Sequence, residues 1–178
     1  MQAILEEKVS VTELRGMLRL RRAEIQASIE AETTRLARVE ARLLTIEVGE
    51  VFGWLDRHGL VPAGPPFFKY NVIDMARELE MEGGVPVATA PDGDDQMVAG
   101  VLPAGQYATL IHVGHPSELM AATKVLLDWA AGQGLTWDVT PSEDGDRWAC
   151  RLENYLTDPG QEPDMSKWVT QLAFKLAD

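Results

Sequence analysis

The sequence predicts an α+β protein, a long N-terminal helix followed by an antiparallel sheet of two pseudo-symmetric halves with two helices on one face. Three observations predict it. Residues 18–46 carry a heptad seam, a helix-ending pattern of Trp, four residues, Gly and Leu occurs twice, and six to eight short stretches alternate apolar and polar side chains. A mixed set of long helical period and short period-2 segments, with strands grouped after a helix, is the pattern of helices packed on an antiparallel sheet.

The helix has a start signal. Ser10-Val11-Thr12-Glu13 matches a capping box, in which the serine hydroxyl accepts an orphan amide and the glutamate reaches back. Leu18, Arg22, Ile25, Ile29, Glu32, Leu36, Val39, Leu43 and Ile46 then follow at alternating spacings of four and three, and seven of the nine are apolar. One helix of about 35 residues, rising 1.5 Å per residue, reaches roughly 50 Å, more than one small domain covers. Leu18, Ile25, Ile29, Leu36, Val39, Leu43 and Ile46 are therefore expected to pair with a second copy of the chain. Arg22 and Glu32 on the same seam would set register or orientation.

The duplicated pattern is Trp54–Leu60 and Trp129–Leu135, 75 residues apart. Each glycine stands where a helix takes a left-handed C-terminal cap. Before Gly59, the residues Val48, Val51, Phe52 and Leu55 share one helical face; before Gly134, Leu119, Ala122, Leu126 and Trp129 or Ala130 do so, with Pro116 near the first turn. Strand patterns fall at 65–73, 76–82, 96–102, 107–113, 136–139, 147–156 and 168–176.

Composition bounds the function. With 46% hydrophobic and 25% charged residues, the 178-residue chain has globular content. It lacks both a run of about 20 apolar residues and a secretory leader pattern, which makes the cytoplasm the expected location. Cys150 is the only cysteine and cannot form an intramolecular disulfide, and three histidines, His58, His112 and His115, offer no metal-ligand spacing. No cofactor or metal is expected. Of 16 basic and 28 acidic side chains, residues 1–47 hold eight of each, so residues 48–178 carry the whole net charge of −12. Such a charge repels phosphates and would favour a cationic ligand, or is simply a solvated surface that keeps the protein soluble, which is the more common case.

The stretch RLENYLTDP raises the binding question. Alternation puts Glu153 and Tyr155 on one face of a strand and Trp148, Cys150, Leu152 and Leu156 on the other. If the apolar set meets the helices, Glu153 and Tyr155 look out from an uncovered face. A half-buried carboxylate there needs a partner, which is Arg151, Lys69, Lys175 or a bound cation.

GPPFFKY (64–70), LPAGQYATLIHVG (102–114), ENYLTDP (153–159) and WVTQL (168–172) fall in the order and approximate spacing of the GyrI-like small-molecule-binding domain. The resemblance covers residues 48–178. ILEEKVSVTELRGMLRLRRAEI and the heptads after it resemble the end of a MerR-type DNA-binding domain and its dimerisation helix. Together the chain resembles a multidrug-sensing MerR-family transcriptional regulator, with 1–47 as the end of the DNA-binding region and coiled-coil helix and 48–178 as the effector-binding domain. The resemblance implies a cleft in which Glu153 and Tyr155 face lipophilic, cationic small molecules. Phe68 and Tyr70 would form its aromatic walls, with Tyr107, Trp137 and Trp168 as further members. Rings attract a cation by about 0.5–2 kcal/mol each, which supports broad affinity.

The sequence departs from that family in three places. The helix-turn-helix that precedes the long helix lies outside residues 1–178, so promoter DNA is expected to be reached only through a missing N-terminal domain. The run LLTIEVGEVFGW passes through Glu47–Val48 where the family has a strand and loop. Gln171 stands where the W-x-T-E-L motif has glutamate. The competing readings are a GyrI-like hydrolase using Glu153 and Tyr155, and a gyrase-inhibitor-like protein-binding module. No Ser-His-Asp set or P-loop supports turnover, and a long dimerisation helix suits neither, so a non-enzymatic sensor is the expectation.

Overall fold

A computed structural model describes residues 11–74 and 79–178, with the side chains of 11–14 and 29–47 outside the description. The Ser10 cap and the side chains of Ile29, Leu36, Val39, Leu43 and Ile46 therefore lie outside the described residues. The chain divides into two compact units at Val39 and Glu40. Helix α1 spans Val11–Arg57 and runs without interruption through Glu47–Val48. In the first unit Leu18 and Ile25 are 61% and 49% exposed, and Met17 and Leu20 are exposed as well.

In the second unit, strands β1 (Phe67–Ile73), β2 (Leu79–Gly84), β3 (Tyr107–Val113), β4 (Val139–Ser142), β5 (Gly145–Trp148), β6 (Arg151–Tyr155) and β7 (Val169–Lys175) form one sheet. Its order is β3-β7-β6-β1-β5-β4, with β2 also paired to β1, and each described pairing is antiparallel. Helix α2 (Leu119–Gly132) buries Leu119, Ala122, Leu126 and Ala130. Those positions repeat at helical spacing, and the first three pack in one cluster with Ala108, Leu172, Phe174 and Trp148. Of the two residues offered for the last position of that stripe, Ala130 is buried and Trp129 is 51% exposed.

The two helix ends are matched bond for bond. Leu60 N–H donates to the Leu55 carbonyl at 2.9 Å, and Leu135 N–H donates to that of Ala130 at 3.0 Å. Gly59 and Gly134 sit at φ of 65° and 70°, the left-handed conformation that this cap demands. A Cβ at either glycine would meet nothing within 4 Å, so only backbone strain opposes a side chain. Gly59→Ala and Gly134→Ala are each expected to lower stability by about 1 kcal/mol, and by similar amounts, in urea unfolding. A substantially larger loss at one site would mean the two caps are not equivalent.

Several expected strands differ. Residues 96–102 form no strand; Gly100 and Pro103 interrupt the alternation, and Val98 stands 94% exposed. Of TWDV, Val139 opens β4, and Trp137 makes a single bridge to Leu176, just past β7. The stretch 147–156 is two strands, β5 and β6, parted at Ala149–Cys150.

The segment after β2 is tied to the end of α1. Trp54 Nε1 donates to Asp94 Oδ2 at 2.7 Å, and Asp94 Oδ1 accepts the amides of Gln96 and Met97 at 2.8 Å each. His58 stacks on Trp54 at 4.0 Å. The Trp54 N–H, and then those two amides, hold the Asp94 carboxyl below its ordinary 3.8. Because the folded value is the lower one, this contribution is complete above pH 3.8 and is lost as pH falls through the folded pKa. Amide exchange at Gln96 and Met97 should accelerate in that acid window, and Trp54→Phe should move the acceleration to higher pH. An unchanged profile would show that the bond does not hold the segment.

Candidate functional site

Cross-strand partners in an antiparallel sheet project from the same face. Glu153 is opposite Phe68 on β1 and Leu172 on β7; Arg151 is opposite Phe174, and Tyr155 opposite Thr170. On the next strand Leu172 pairs with Leu110, Phe174 with Ala108 and Thr170 with His112. Three rows result: Ala108–Phe174–Arg151, Leu110–Leu172–Glu153–Phe68 and His112–Thr170–Tyr155.

This register reverses the expected facing. Ala108, Leu172 and Phe174 belong to the cluster with α2, so Glu153 and Tyr155 lie on the helix-bearing face rather than on an uncovered one. Leu152 lies on the opposite face with Cys150 and Ala173, against Phe67 and Tyr107, and that side is itself buried. The physical reason is the break between β5 and β6. Trp148 and Cys150 would share a face in one continuous strand, but the interruption at Ala149–Cys150 sends them into different clusters.

Glu153 is 7% exposed. Its Oε2 accepts the Tyr155 hydroxyl at 2.9 Å, as a buried carboxylate requires. The Tyr155 ring meets Phe68 edge-on at 5.8 Å. Two residues back along β6, the Arg151 guanidinium lies over three rings, 4.5 Å from the centre of Phe174, 5.1 Å from Trp148 and 5.6 Å from Tyr70. Burial holds the Arg151 pKa below its ordinary value, opposed by the neighbouring charge of Glu153. Its Nε is buried without a hydrogen-bond partner among the described residues.

The structure thus brings together Glu153, Tyr155, Phe68 and, through Arg151, Tyr70. It separates the others. Tyr107 is on the opposite face, its hydroxyl donating to the Pro103 carbonyl at 2.6 Å and its ring near Cys150. Trp137 packs against Trp148 and Phe174 at 5.9 and 5.8 Å, and so touches two of the rings that hold Arg151. Trp168 is buried, with Nε1 donating to the Glu162 carbonyl at 2.8 Å. Gln171 pairs with Asn154 on the far face, its Oε1 accepting from Asn154 Nδ2 at 3.3 Å, so its replacement of glutamate does not alter the charge beside Glu153. Lys69 pairs with Glu82 at 2.6 Å and Lys175 with Asp138 at 2.8 Å. Among the three cations considered for Glu153, Arg151 is the one on its face.

His112 and Thr170 join this face beyond the expected set; strand alternation in YATLIHV carries that signal once β3 is registered on β7. His112 Nε2 lies 3.6 Å from Glu118 Oε2, and His115 Nδ1 lies 2.9 Å from Ser117 Oγ. No group of three or more metal-ligating side chains occurs among the described residues. A cavity of about 540 Å3 lies among Trp54, Leu55, Phe67, Lys69, Pro86 and Leu102, and one of about 320 Å3 lies among Asn71, Asp138, Arg147 and Trp148, the last being one of the rings over which Arg151 lies.

Fold and site define an α+β antiparallel-sheet domain with a buried, ring-flanked carboxylate beside a caged guanidinium. No family model matches the chain, and no curated protein is significantly similar to it. No helix among the described residues is long and apolar enough to cross a membrane.

Proposed function

We propose that the chain is the ligand-sensing, dimerising part of a MerR-type multidrug-responsive transcriptional regulator, in which a GyrI-like domain over 48–178 binds lipophilic, cationic small molecules beside Glu153. The observation that carries this reading is the buried Glu153 carboxylate held by Tyr155 and flanked by Phe68, on a face whose rings already accommodate a planar cation in Arg151. Aromatic faces and one desolvated carboxylate are the chemistry that recognises organic cations without demanding one shape. The exposed Leu18 and Ile25 stand on a seam that a second copy of the helix would cover. Ligand binding then biases the DNA-binding heads to the extent that the ligand prefers one arrangement of the paired chains.

Native mass spectrometry of the intact chain with tetraphenylphosphonium tests this. A dimer carrying one unaltered cation per chain is expected; a monomer, or no bound cation, overturns the reading. The Tyr155–Glu153 hydrogen bond of 2.9 Å favours one second reading, a GyrI-like small-molecule hydrolase in which this pair moves a proton. In that case a hydrolysable probe leaves with altered mass.

A further inference from the structure

Three features meet at β6: a guanidinium enclosed by three aromatic rings, a carboxylate two residues along on the same face, and a buried donor without an acceptor among the described residues. The rings and the carboxylate are what an organic cation would need. In the structure the rings are engaged by a cation of the protein's own, and the carboxylate accepts the Tyr155 hydroxyl. We propose that Arg151 is a built-in placeholder, which an incoming cation must displace from the Tyr70–Trp148–Phe174 cage, so that Arg151 sets both the affinity and the charge selectivity of the seat. This rests on the reading of the Glu153 face as a cation site.

The rings attract the guanidinium without accepting hydrogen bonds in its plane, and its buried Nε–H has no acceptor among the described residues. Burial also disfavours its charged form. Arg151 is therefore held incompletely and can be exchanged for a ligand that brings no unsatisfied donor, such as a quaternary phosphonium or ammonium. A compound with a strong acceptor is served differently, because it can satisfy Nε–H without displacing the side chain. The placeholder thus keeps Phe174 and Trp148 covered when no ligand is present, and it raises the threshold concentration at which a cation is sensed.

Titration calorimetry with tetraphenylphosphonium, on the intact chain and on Arg151→Met, tests the exchange, with Glu153→Gln as the reference for the seat. Arg151→Met is expected to bind the cation roughly tenfold more tightly, the worth of about one ring contact. Binding by Arg151→Met alone, with none by the wild-type chain, overturns the exchange together with the sensor reading, because no cation then displaces Arg151 in the natural protein. Equal or weaker binding by Arg151→Met, with Glu153→Gln still impaired, overturns the placeholder and leaves the sensor reading standing. Absence of binding by all three proteins overturns both. If Arg151→Met does not fold, the wild-type chain answers by NMR: the Arg151 Nε–H resonance, displaced by three ring currents, should move to an ordinary position on saturation, and retention of its shift would overturn the exchange.

Discussion

Phe174→Ala should lower stability by about 3–5 kcal/mol, the largest single effect expected in this domain. Phe174 has no exposed surface and lies 5.7 Å from Trp148 and 5.8 Å from Trp137. Its strand neighbours are fixed on both sides, Ala108 on β3 and Arg151 on β6. Central strands paired on both edges cannot close over a lost ring, so most of the cavity would persist. At roughly 2–4 °C per kcal/mol for a chain of this size, the midpoint should fall by about 6–20 °C. Phe174→Leu, which retains most of the volume, should lose less than about 1.5 kcal/mol. An alanine variant within about 1 kcal/mol of wild type in urea unfolding would contradict the core as described. The near-ultraviolet dichroism of the Trp137–Trp148 pair should weaken with it, because Phe174 is the third side of that ring cluster.

The elements that proved readable were those whose signal is local. Strands β1, β3 and β7 are bounded alternations, and the two glycine caps need only a helix end and a left-handed residue. The α+β class with an antiparallel sheet follows from counting them. What was not readable depends on residues far apart in the chain. Alternation states that Glu153 and Leu152 oppose each other, but it is symmetric with respect to which side α2 covers. That choice is made by packing of Leu119, Ala122 and Leu126 against Leu172 and Phe174. The break at Ala149–Cys150 was hidden because W-A-C-R-L continues a plausible alternation through it. Lys69 and Lys175 found carboxylates 13 and 37 residues away, which no spacing rule anticipates. The aromatic set divided for the same reason. Tyr107 and Trp168 look like members of a cleft in composition, and strand register and a hydrogen bond to Glu162 commit them elsewhere.

Glu153→Gln should weaken tetraphenylphosphonium binding by about 1–3 kcal/mol, roughly 5- to 150-fold, if the carboxylate is the cation's charge partner. The substitution is nearly isosteric, and the amide oxygen can go on accepting the Tyr155 hydroxyl now bonded at 2.9 Å. The change is therefore one of charge more than of shape. Triphenylphosphine oxide, a neutral molecule of similar bulk, provides the contrast: its binding should change little, because it gains nothing from a negative charge. The ratio of the two affinities isolates electrostatics from any general disturbance of the face. A loss shared equally by both probes would show that the substitution had disturbed packing around Phe68 and Tyr155. Unchanged affinity for the cation would remove Glu153 from the seat, because a desolvated carboxylate in contact with a cation cannot be neutralised without effect.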